Sequence, residues 1–81
     1  MDIKIIKDLA TKYSAEQLLK YADELENTGK TSCPERLQET DLNAVMSDFL
    51  QSAEVKGLVD KGLQLNEAVR EFSKRVRAVL S

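Results

Sequence analysis

Arg70, Lys74, Arg75 and Arg77 crowd the segment VREFSKRVRAVLS near the end of the chain. Cationic groups one helical turn apart could pair with successive phosphates of a polyanion. At about 100° per residue, Arg70, Lys74 and Arg77 fall within about 60° of one another. Leu65, Ala68, Val69, Phe72, Val76, Val79 and Leu80 take the opposite side. Any bundle helix carries its charge there. Glu67 stands three residues before Arg70, and Glu71 stands three before Lys74 and four before Arg75. Each such pair supports an exposed helix by about 0.2–0.5 kcal/mol, and basic residues in a last turn suit the helix dipole. Three phosphate contacts would give a salt slope of only about −2.7, whereas a dedicated binder makes roughly six to ten contacts. A solvated helix face is the favoured reading. Arg70, Lys74 and Arg77 remain the candidate polyanion contact, a strip that a symmetric dimer would double.

Other chemistry has less to work with. The chain contains no histidine, which removes the commonest acid–base group and the commonest nitrogen ligand of metals. Cys33 is the single cysteine, so it has no second thiol to pair with and no histidine to activate it. Glu35, Glu39 and Asp41 lie close in sequence but lack the spacing and central glycine of a calcium loop. Neither a phosphate-binding loop nor a dinucleotide fingerprint is present. The expectation is a non-enzyme, with no catalytic, metal or cofactor-binding residue and no cofactor.

The elements that position these residues read as helices. Ile3, Ile6, Leu9, Ala10 and Tyr13 recur at helical spacing over residues 3–13, with Asp2 as N-cap. SAEQ at 14–17 is a capping-box pattern that opens a second helix with an inner face of Leu18, Tyr21, Ala22 and Leu25, closed by Gly29. GKTSCPER is the one loop-like stretch, and Ser32 with Glu35 repeats the capping signature around Pro34. A third helix, beginning near Pro34 or near Asp41, carries Leu42, Val45, Met46, Phe49 and Ala53 on one face and stops at Gly62. The last helix runs from about Leu65 to Leu80, with Glu67 at the acidic third position and Leu63 placed to pack on Ala68.

The first two helices have roughly the layout of a helix-turn-helix, but the second would bring Glu16, Asp23, Glu24 and Glu26 against Lys20 alone into the groove of a polyanion. An ordinary helical hairpin explains the segment better. The third helix holds the informative anomaly. Leu58 falls opposite Phe49, and with Leu50, Val55 and Val59 it spreads apolar surface around more of the helix than one core needs. Two readings stay open: a bend or break near Gly57 that rotates the face, or a second interface buried by another subunit. On the second reading Leu50, Val55, Leu58 and Val59 are the candidate interface.

The bulk numbers frame these readings. With 81 residues, 42% apolar and 32% charged, the chain makes one domain, 1–81, too apolar to be a disordered tail. A chain of this size hides about 60–65% of its unfolded surface, and with four aromatics and no Trp the core must be mainly Leu, Ile, Val and Ala. Such a thin core often recruits a second copy of itself. A net charge of −2, an opening segment that makes a poor signal peptide and the absence of a long apolar run point to a cytoplasmic protein without a membrane span.

The spacing Gly62, Glu67-Ala68, Phe72 and Lys74-Arg75-Val76, with IIKDL near the start, resembles a family of small uncharacterised bacterial helical proteins. The resemblance covers the two ends of the chain. It implies an all-helical fold and a bacterial cytoplasmic setting, and it brings no activity or site residue. The expectation is an all-α bundle of about four helices, acting as a protein–protein interaction module that self-associates as a homodimer, with another protein as a further partner. The rival is a weak nucleic-acid or polyanion-binding accessory protein that uses the basic face of the last helix.

Overall fold

A computed structural model describes residues 3–80, with side chains from Ile3 to Arg77. Four α-helices follow one another: α1 (Ile3–Lys12), α2 (Ala15–Thr28), α3 (Leu42–Asp60) and α4 (Leu65–Leu80). A 3-10 turn, Pro34–Arg36, interrupts the link between α2 and α3, and the described residues include no strand. The fold is all-α, as the sequence periodicity indicates.

Local chemistry sets the helix ends. The Ser14 hydroxyl accepts the Gln17 backbone N–H at 3.1 Å and caps α2. Gly29 closes α2 in the left-handed region, φ 71°, donating its N–H to the Leu25 carbonyl at 2.8 Å. The two proposed starts of the third helix divide between two elements. Pro34 opens the 3-10 turn, and Asp41 caps α3 by accepting the N–H groups of Asn43 and Ala44 at 3.1 and 3.3 Å.

At the far end of α3, Leu63 N–H reaches the Leu58 carbonyl and Gly62 N–H reaches that of Val59, with Gly62 at φ 115°. This is a Schellman closure, and its accompanying apolar contact comes from Leu58 and Leu63 in one cluster. Gln64 donates its N–H to the Glu67 carboxylate at 3.4 Å, the returning half of the expected capping box of α4. Asp2, expected to cap α1, lies outside the described residues, as do the side chains of Val79 and Leu80.

α3 is the hub. It packs against each of the other three helices, and α1 also meets α4. Its inner surface changes along its length. Val45, Phe49 and Ala53 join Leu9 of α1, Leu18, Ala22 and Leu25 of α2, and Cys33 in a first core. Val55 and Leu58 join Ile6 and Ala10 of α1 with Ala68, Val69 and Phe72 of α4 in a second. The two sets on α3 point about 150° apart at 100° per residue. A helix that is apolar on opposite sides is buried on both.

This corrects the ground on which Val55, Leu58 and Val59 were assigned to an interface. Val55 is 0% and Leu58 6% exposed within the chain itself, and Val59 packs half-buried on the second core. α3 also runs unbroken through Gly57, so no helix break rotates the face. The inward direction changes because the neighbour changes, from α2 to α4.

Candidate functional site

Two surface features and one buried polar cluster hold the chemistry of the molecule. On α3, Leu42 and Leu50 are 44% and 49% exposed, with Met46 half-buried between them. The i, i+4, i+8 spacing makes a single ridge, of the kind that interdigitates in the commonest helix crossing. Of the four candidate interface residues, Leu50 is the one that the fold leaves open. Leu42 belongs beside it, although the periodicity assigns Leu42 to the inner face.

On α4, Arg70, Lys74 and Arg77 are exposed and lie on the side away from Ala68, Val69 and Phe72. None of the three makes an ion pair within 4.0 Å among the described residues, so the expected pairing with Glu67 and Glu71 is not formed. Arg75 instead reaches across to Glu54 of α3 at 3.8 Å, with both side chains about half exposed. A pair in that setting contributes about 0.2–1 kcal/mol.

The link between α2 and α3 is held down at successive points. Ser32 donates its backbone N–H and hydroxyl to Glu24 of α2 at 2.8 and 3.1 Å. It therefore does not cap with Glu35 as its spacing suggests. Glu35 turns instead to the end of α1, where its carboxylate accepts hydrogen bonds from the Tyr13 hydroxyl and, at 3.7 Å, the Cys33 thiol, with Lys12 Nζ at 3.9 Å. The hydrogen bond to Glu35, aided by burial, raises the Tyr13 phenol well above the ordinary tyrosine range. Tyr13 also meets Tyr21 edge-on at 5.3 Å, and Tyr21 stacks on Phe49 at 5.5 Å, so the link is coupled directly to the first core. Cys33 sits fully inside that core, and burial raises its thiol pKa above the ordinary value. A raised, enclosed thiol is a poor nucleophile.

Arg36 is the deepest pin. The residue is 8% exposed, and its guanidinium meets Asp48 of α3 at 2.8 Å, with Glu39 at 3.7 Å. Among the described residues, the buried Arg36 Nε–H and Ser52 hydroxyl have no hydrogen-bond partner. The carboxylates Glu35, Glu39 and Asp41 thus serve separate tasks: one holds the end of α1, one flanks Arg36, and one caps α3.

The periodicity did not single out Arg36, Asp48, Tyr13 or Glu35 as a connected set. One signal was present. Asp48 and Ser52 stand among Val45, Phe49 and Val55 on the side of α3 that goes inward, and a carboxylate there requires a cation. Arg36 and Lys56 are the cations between Lys30 and Lys61, and Arg36 takes the role.

The chain belongs to a family of unknown function, DUF6952, whose model matches residues 1–81. No curated protein matches it, and no solved structure does.

Proposed function

We propose that this protein is a non-catalytic interaction module that self-associates through the Leu42–Met46–Leu50 ridge of α3. The observation that carries the reading is the exposure of Leu42 and Leu50 on one ridge of the helix whose other sides are already buried. Two copies of α3 crossing at about −50° would interdigitate these ridges, and a stable pair would bury about 1,200–2,000 Å² in total. The non-catalytic part draws on the absence of histidine and on the enclosed, raised thiol of Cys33. A reduced, buried cysteine also fits the cytoplasm as the location.

Sedimentation equilibrium at micromolar concentration tests the assembly. The parent chain is expected as a dimer and Leu42→Glu with Leu50→Glu as a folded monomer. A monomeric parent would remove the proposal.

A second reading rests on the exposed cations Arg70, Lys74 and Arg77, which no carboxylate among the described residues neutralises within ion-pair distance. It takes α4 as a weak polyanion contact, doubled by the dimer. Retarded migration of a short single-stranded nucleic acid, lost at raised salt and lost in Arg70→Glu, Lys74→Glu and Arg77→Glu together, is its expected outcome. Equal binding by the triple variant and the parent would end it.

A further inference from the structure

The sulfur atoms of the chain belong to Met1, Cys33 and Met46. Cys33 is fully enclosed in the first core, and burial raises its thiol pKa, so the thiolate that oxidants attack is both scarce and shielded. Met46 differs on both counts. It packs half-buried against the outside of the first core, with the exposed Leu42 and Leu50 one turn to either side. A thioether has no proton to lose, so its reactivity needs no lowered pKa.

The place of Met46 in the ridge gives that reactivity a consequence. In a two-fold contact of one surface with itself, the middle of the patch lies nearest the axis. Met46 is the middle residue of Leu42–Met46–Leu50, so the two copies would meet there with leucines around them. Leucine side chains offer no hydrogen-bond donor to an added oxygen.

We propose that Met46 is an oxidation site for hydrogen peroxide and small organic hydroperoxides, and that its sulfoxide releases the dimer. This rests on the self-association proposed above. The Met46 sulfur attacks one peroxide oxygen, and the S–O bond forms as the O–O bond breaks. Sulfur gives up two electrons, while the other oxygen takes the proton and leaves as water or an alcohol. The product carries a polar S=O group where the contact requires apolar surface. The dissociated chain presents the sulfur, so oxidation consumes monomer and draws the dimer apart by mass action. Methionine sulfoxide reductases with a thiol reductant remove the oxygen as water and reverse the step.

The test treats the intact chain with excess hydrogen peroxide, locates the added oxygen by peptide mass spectrometry, and repeats sedimentation equilibrium with circular dichroism. Met46 is expected to gain one oxygen before Cys33 gains any, more slowly as protein concentration is raised. The oxidised chain should stay helical and dimerise about a hundredfold more weakly, roughly tenfold for each sulfoxide left without a donor. Treatment with both epimer-specific reductases should restore the dimer. Met46→Leu keeps the volume and the apolar surface, so it should remain a dimer before and after peroxide. A parent that is monomeric before any oxidation would remove the self-association reading and this proposal together. A dimeric parent whose Met46 sulfoxide dimerises equally well would overturn this proposal alone. So would a Met46 that resists peroxide in the folded chain, a Met46→Leu dimer that peroxide dissociates, or a sulfoxide form that loses its helical signal.

Discussion

The two ends of this bundle are closed in different ways. Where α4 folds back, Ala68, Val69 and Phe72 meet Val55, Leu58 and Ile6, and the polar contacts of that end lie at the surface. Where the long link returns from α2 to α3, the first core is edged by Tyr13, Glu35, Arg36 and Asp48, groups that must be paired to be buried at all. The apolar end tolerates a change of shape better than a change of polarity. The polar end tolerates the loss of both partners better than the loss of one.

The largest effect should come from splitting the buried pair. Asp48→Ala leaves Arg36 uncompensated and is expected to lower the unfolding free energy by about 3–5 kcal/mol in urea titrations, whereas Arg36→Met with Asp48→Leu should restore most of it. A double variant no better than the single one would mean that the pair matters for more than charge. At the other end, Phe72→Ala is expected to cost about 3–5 kcal/mol through the cavity it leaves. Either loss is large against the roughly 4–12 kcal/mol that a chain of this length commands. Val55→Glu should abolish helical circular dichroism, because it puts a carboxylate into the second core rather than onto an interface.

A pH series separates the ends further. Tyr13 and Cys33 both hold their protons more tightly folded than unfolded. Their stabilisation is complete below the unfolded values and is lost as pH rises beyond them. The unfolding midpoint should therefore fall from about pH 9 upward. Tyr13→Phe with Cys33→Ala should flatten that fall, while Phe72→Ala should leave its slope unchanged. A flat profile in the parent would break the link drawn between Glu35 and these two groups. The smallest effect belongs to a helix end shared by neither core: Ser14→Ala should cost about 1 kcal/mol in the same urea titrations.

The same contrast explains what could be read in advance. Helix ends announced themselves, because Ser14, Gly29, Asp41 and Gly62 act on backbone groups within a few residues. The apolar surplus on α3 was visible as well, but its meaning was not. Periodicity shows that Val55 and Leu58 leave the face of Phe49, and only the return of α4 shows that they go inward rather than out. Arg36 and Asp48 stand twelve residues apart across the capped start of α3, and no local pattern joins them. Ser32 illustrates the converse: its capping signature with Glu35 is intact in sequence, yet both side chains find partners on other helices.

The most direct test sets Leu50→Glu beside Val55→Glu in sedimentation equilibrium, with circular dichroism on the same samples. The outward ridge and the inward core predict a folded monomer for Leu50→Glu, an unfolded chain for Val55→Glu and a dimer for the parent. A folded, monomeric Val55→Glu beside a dimeric Leu50→Glu would reverse the assignment, and a monomeric parent would contradict self-association itself.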